Sequence, residues 1–114
     1  EVDLGTRRAL VAAGPAALAT KLERPLFVAC ITYENEKPTG ADVRVRCVGP
    51  INADGQERPG LNRVEALTQA WVDEFAAMMV TKAQDWHMMQ RVYVEDLDPE
   101  RLARARAEHE RKNR

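Results

Sequence analysis

The sequence predicts an α/β fold: part of a mixed, mainly parallel sheet flanked by helices, incomplete on its own. Three observations predict it. Leu26-Phe27-Val28-Ala29-Cys30-Ile31 is a continuous apolar run, the pattern of a strand covered on both faces. Val64, Leu67, Trp71, Phe75 and Met78/Met79 recur at three- and four-residue steps, which is the apolar stripe of a long helix. The 114 residues amount to one domain or a piece of one, at roughly 100–200 residues per domain. A chain of this size buries only part of its surface.

The elements follow in order. Glu1–Leu4 alternates polar and apolar as a short strand does, and Gly5-Thr6-Arg7-Arg8 breaks it. Gly14-Pro15 opens a helix over Pro15–Leu22, because proline at the first helical position gives up only an N–H that had no partner. Its alanines (Ala16, Ala17, Ala19) let the backbone lie close to a neighbour. It stops before Pro25, since the residue preceding a proline avoids the helical region. Pro25–Tyr33 is the clearest strand and reads as a central one. Glu34–Gly40 reads as a turn. Asp42–Val48 sets Val43, Val45 and Cys47 against Arg44 and Arg46, which marks a half-exposed strand near the sheet edge. Gly49–Gly60 is a loop. Asn62 is positioned to cap a helix over Arg63–Val80. Trp86–Gln90 and Val92–Val94 follow a polar break. Asp98-Pro99 starts the last helix, with six Arg and Lys against three acids from Pro99 onward.

Composition narrows the function. The net charge is -1, so there is no cationic surplus for phosphate and no nucleic-acid partner is expected. Two cysteines make neither a disulfide framework nor a zinc site. The longest apolar run falls far below the ~20 residues of a bilayer helix. The start, Glu1-Val2-Asp3, has neither the basic region nor the apolar stretch of a secretory leader, so none is expected. That start reads as the C-terminal portion of something larger, with initiator-Met removal or a tag as the alternative.

Chemistry-bearing residues are sparse. His87 and His109 are the two histidines, and neither has metal-ligand spacing around it, so no metal or cofactor is expected. Cys30 and Cys47 read as small buried hydrophobes with raised thiol pKa. Asp85 and His87 invite a histidine–carboxylate pair, against an imidazole that simply bonds its surroundings. Met78, Met79, Met88 and Met89 fit either core filling or the lining of an alkyl-chain pocket. Trp71 and Trp86 offer a buried anchor or a ring at a lipid–water boundary.

Two stretches together resemble a known family. Glu1-Val2-Asp3-Leu4-Gly5, Thr6 and Ala13-Gly14-Pro15-Ala16-Ala17-Leu18-Ala19 resemble a signature of the bacterial lauroyl/myristoyl lipid A acyltransferase superfamily. That signature is an extended Val-x-Phe-Phe-Gly segment, then a threonine and a small-residue Gly-Pro helix. Leu67-Thr68-Gln69, Asp73-Glu74-Phe75-Ala76, Asp85-Trp86-His87-Met88-Met89-Gln90 and Glu95-Asp96-Leu97 resemble the C-terminal end of its phosphatidylinositol mannoside acyltransferase branch. The match runs in order through most of the chain. The Asp-Trp-His-Met segment is fairly specific; the Gly-Pro segment alone is weak. Two departures stand out. The paired aromatics are reduced to Leu4, with one residue fewer. Lys82-Ala83-Gln84 replaces a usual His-Pro.

The resemblance implies an acyltransferase-like fold, with residues 1–98 the C-terminal part of an acyltransferase domain and 99–114 a charged helical tail. It implies an acyl-CoA-dependent glycolipid O-acyltransferase, with acyl-CoA as donor substrate and a mannose of a phosphatidylinositol mannoside as acceptor. It places the enzyme peripherally on the cytoplasmic face of the plasma membrane. The family's catalytic His-x4-Asp/Glu motif lies upstream of the matched region, so no catalytic residue is assigned here and this chain alone is expected to be inactive. Thr6, Gly14, Pro15, Trp86 and His87 are the substrate-binding candidates. The N-terminal half of the enzyme or a second chain is the expected partner for Leu26–Ile31. The rival is a non-catalytic acyltransferase remnant that binds lipid or a partner protein.

Overall fold

The computed structural model describes residues 1–54, 62–112 and 114. In chain order these form β1 (Val2–Leu4), β2 (Arg7–Ala9), α1 (Gly14–Leu22), β3 (Val28–Lys37), β4 (Gly40–Val48), α2 (Arg63–Met79) and α3 (Pro99–Lys112). Single 3-10 turns at Ala83–Asp85 and Val94–Asp96 join the last two helices. The second half of the loop expected over Gly49–Gly60 lies outside the described residues.

The sheets correct the expected architecture. There are two separate two-stranded antiparallel sheets, β1–β2 and β3–β4, and no mainly parallel sheet is seen among the described residues. Connection length is the physical reason. Only Pro38 and Thr39 separate β3 from β4, whereas a parallel partner needs a crossover of about a dozen residues or more. Gly5 and Thr6 likewise join β1 to β2, with Gly5 at φ 62° in the turn, a conformation glycine adopts freely. Arg7 and Arg8, expected as part of a strand break, therefore belong with Ala9 to a strand.

The Leu26–Ile31 run is not a central strand. Register pairs Val28 with Val48, Cys30 with Arg46 and Ile31 with Val45. Val28 and Cys30 are buried against Met78 and Met79 of α2. Phe27, Ile31 and Tyr33, together with Val43 and Val45 opposite, are exposed. The run is continuous because apolar residues occupy both faces of the hairpin, although α2 covers only one.

α2 is the element both sheets rest on. Asn62 begins it with a capping box: Asn62 Oδ1 accepts the Glu65 N–H at 3.0 Å, and Glu65 Oε2 accepts the Asn62 N–H at 3.0 Å. The helix touches α1, β1 and β3, so it buries more than one stripe. Ala66, Thr68, Gln69, Ala70 and Val72 are buried alongside Met78 and Met79, while half-buried Trp71 packs against both cores and half-buried Phe75 against the hairpin core. Gln69 ties it to β1. Its Oε1 accepts the Asp3 N–H at 2.8 Å. Its Nε2 donates to Asp3 O and to Asp73 Oδ1, both at 2.8 Å. The side-chain amide thus pairs with the open edge of β1 as another strand's peptide group would.

β2 gains a further neighbour on its other side. Ala9 bridges to Tyr93, and the Leu10 N–H donates to Val92 O at 2.8 Å. Arg7 stacks over the Tyr93 ring, 3.7 Å from its centroid, and pairs with Glu95 and Asp96. α1 runs Gly14–Leu22, one residue earlier than the sequence suggests, with Ala16 buried. α3 starts as expected: Asp98 Oδ1 accepts the Arg101 N–H at 3.0 Å. It buries no residue. Charge holds it: Arg106 Nε donates to Glu1 Oε1 at 2.7 Å, and His109 lies 3.5 Å from Glu65.

These ties have measurable consequences. Gln69→Ala leaves the Asp3 N–H and C=O without the side-chain amide in a half-buried setting, where a lost partner costs about 1–3 kcal/mol. Asn62→Ala removes a cap contributing about 1 kcal/mol. Urea unfolding should rank the loss as Gln69→Ala above Asn62→Ala, with Asn62→Asp close to the parent.

The α3 tether should also titrate. The Arg106 hydrogen bond holds the Glu1 carboxyl below its ordinary value, against the opposing effect of burial. A depressed carboxyl contributes stability above its unfolded pKa and loses it as pH falls through the folded one. Acidification into and below the ordinary carboxylate range should therefore release α3. Being an exposed pair, it contributes little to global stability, so amide exchange in α3 should speed up before tryptophan fluorescence changes. Arg106→Ala should reproduce that release at neutral pH.

Candidate functional site

The five candidate residues fall on separate elements. Thr6 sits exposed in the β1–β2 turn. Gly14 and Pro15 open α1, where Ala13 stands as N-cap without a side-chain hydrogen bond. No side chain therefore caps the first N–H groups of that helix, an end with positive dipole character. Trp86 and His87 follow the 3-10 turn at Ala83–Asp85. Trp86 is half-buried, edge-on to Phe75 with ring centroids 5.2 Å apart and planes at 69°, and packs on the Val28, Cys30, Met78 and Met79 cluster. His87 is exposed. Trp86 thus clasps the β3–β4 hairpin to α2.

Asp85 does not orient His87. Its Oδ2 accepts the Tyr33 N–H at 3.0 Å, and Lys82 Nζ donates to Tyr33 O at 3.0 Å. The two side chains together satisfy one peptide position on the outer edge of β3. The four methionines divide. Met78 and Met79 fill the core, whereas Met88 and Met89 are exposed.

The two cysteines also divide. Cys30 is buried, and burial raises its thiol pKa against a smaller opposing effect of Arg46. Cys47, expected to be buried, is exposed, because it lies on the hairpin face that α2 does not cover.

A concavity lies elsewhere. A cleft of about 920 Å³ opens between the C-terminal end of α1, the 24–26 and 51–54 connections and the start of α2. None of the five candidates lines it. Arg24 and Arg63, Glu23 and Asp54, and Asn52 are among the residues that line it. Asn52 and Asp54 are bonded to each other through side chain and backbone at 2.9 Å. Thr20 also lines it, and its Oγ1 is buried without a hydrogen-bond partner among the described residues. Donors and acceptors of this kind suit a hydroxyl-rich ligand better than an alkyl chain. The described lining contains no histidine or cysteine, hence no imidazole base and no thiol nucleophile. Sequence reading missed this cleft because three separated segments build it and none bears a motif.

Among the described residues no cluster of histidine, cysteine and carboxylate side chains could hold a metal ion. No helix of the described residues is long and apolar enough to cross a membrane.

Comparison with known proteins adds what geometry cannot. Over 104 residues the chain is 34% identical to the phosphatidylinositol mannoside acyltransferase of Mycolicibacterium smegmatis. That alignment takes in 91% of this chain and 31% of the relative, so the chain spans about a third of the length of the curated protein it matches. No protein-family model matches the chain, and no solved structure matches it.

The differing burial of the thiols predicts their reactivity. Under native conditions iodoacetamide should label Cys47 and spare Cys30; in urea both should react. Mass spectrometry of the labelled peptides distinguishes one adduct from two.

Proposed function

We propose that this chain is the acceptor-side part of an acyl-CoA-dependent glycolipid O-acyltransferase acting on a phosphatidylinositol mannoside. The observation that carries the reading is the 34% identity over 104 residues to a protein of that name. The catalytic base comes from outside these residues. This accords with a cleft without an imidazole and with an Asp85 carboxylate bound to the Tyr33 backbone rather than to His87.

In the proposed reaction a histidine, oriented by a carboxylate, removes the proton of a mannose hydroxyl. The oxygen attacks the thioester carbonyl of acyl-CoA. Donor N–H groups steady the oxyanion that forms, and the CoA thiolate leaves and takes up a proton. Thr6 and the α1 N-terminus at Gly14-Pro15 border the acyl or headgroup end, where uncapped N–H groups suit a carbonyl or phosphate oxygen. Trp86 and His87 lie on the acceptor-side wall, with Trp86 holding that wall to the sheet. The enzyme works peripherally at the cytoplasmic face of the plasma membrane. The exposed basic residues of α3 support that placement, each contributing about 1 kcal/mol near anionic lipid.

A chimera tests the reading: the M. smegmatis acyltransferase with its matched residues replaced by those of this chain. It should transfer palmitate from palmitoyl-CoA to a phosphatidylinositol mannoside, followed by thin-layer chromatography of labelled lipid. A folded chimera that transfers nothing overturns the proposal. The 114-residue chain alone should show no transfer, and turnover by it would refute the external base.

A further inference from the structure

One face of the β3–β4 hairpin is exposed. Ala29, Ile31 and Tyr33 of β3 stand opposite Cys47, Val45 and Val43 of β4. Side chains two apart share a face, so these six form one continuous patch with no formal charge. Ile31 is 55% exposed, Val43 62% and Val45 60%. Exposed apolar clusters of this kind mark interaction surfaces.

Beside the patch, side chains rather than a further strand take up the β3 edge at Tyr33. The Tyr33 N–H and C=O both go to side chains, Asp85 and Lys82, so they point away from β4. The same period directs the peptide groups of Ala29 and Ile31 outward on β3, and those of Val43, Val45 and Cys47 outward on β4. A two-stranded sheet presents both outer edges, and two strands alone are marginal in water.

We propose that this patch is the docking face for the portion of an acyltransferase that corresponds to the unmatched two-thirds of the M. smegmatis relative. The inference rests on the functional reading above. Size argues for this occupant: the matched relative is about three times as long as the aligned segment. Chemistry argues for it too. β-branched and aromatic residues without a charge resemble a core divided in two rather than a transient contact.

The test uses the full 114-residue chain and the chimera described above, with two readouts. In the free chain Cys47 should react readily with iodoacetamide; in the chimera it should react at least tenfold more slowly. Val45→Lys should leave the melting temperature of the free chain within a degree or two and lower that of the chimera by five degrees or more. Met89→Lys, at a residue 94% exposed and outside the patch, should change neither.

Equal Cys47 rates, or equal responses to Val45→Lys, overturn the proposal. So does a wild-type chimera that fails to fold, because a face shaped for that portion should accept it. A free chain that light scattering finds dimeric, with Cys47 shielded until Val45→Lys dissociates it, assigns the patch to a second copy and likewise overturns it. Acyl transfer separates this inference from the functional one. A chimera that shields Cys47 but transfers nothing keeps the docking face and removes the activity; one that transfers with Cys47 freely reactive does the reverse.

Discussion

One helix carries two sheets, and neither sheet could stand without it. Two strands bury too little apolar surface to offset the entropy of ordering them. β1–β2 and β3–β4 are not bonded to each other; each instead leans on α2, at different points along its length. Val72 anchors the β1–β2 cluster and Met78/Met79 the hairpin cluster, with Trp71 packed against both. Anything that loosens the helix loosens both, which is why its start is closed by a reciprocal pair of hydrogen bonds at Asn62 and Glu65.

The arrangement explains where polar groups are spread and where they are concentrated. Around the β1–β2 sheet they are dense: Gln69 meets Asp3, Arg7 meets Glu95, Asp96 and Tyr93, and Arg106 meets Glu1. Around the hairpin they gather at its polar end, where Arg44 pairs with Glu34 and Asn35 donates to Asp42, and at the single peptide position of Tyr33 that Asp85 and Lys82 serve. One side of the chain is finished with charge and hydrogen bonds. The other is finished with exposed valine and isoleucine, which water disfavours. The proposed acyl-transfer role and the proposed docking face both belong to this asymmetry.

The helices were legible in the sequence because their ends are written in single residues. Asn62 with Glu65, Asp98 with Pro99, and Gly14-Pro15 with Pro25 act through local sterics and hydrogen bonding that hold in any context. The sheet type was not legible in the same way. An unbroken apolar run looks alike whether a strand is buried on both faces or lies in a hairpin with one apolar face open. What separates the two is the two-residue connection at Pro38-Thr39, whose shortness requires antiparallel pairing. β2 was hidden because Arg7-Arg8-Ala9 carries no apolar alternation; the Gly5-Thr6 turn makes it a strand. Cys47 was misplaced for the same reason as the run. Within the candidate site, the packing of Trp86 against an apolar core could be anticipated from its neighbours, whereas the capture of Asp85 by Tyr33 depends on a contact 52 positions away.

The Gln69 amide sets the phase of β1 against the helix. Outward-pointing peptide groups occur at every second residue of a strand, so a slip of one position would present the amide with a blank stretch of backbone. A slip of two would restore the bonds but move Val2 out of its slot beside Val72. Hydrogen bonding thereby forbids the odd displacements and side-chain shape the even ones. The short strand works as a keyed joint, seated in one position only, although it has just three residues with which to specify it.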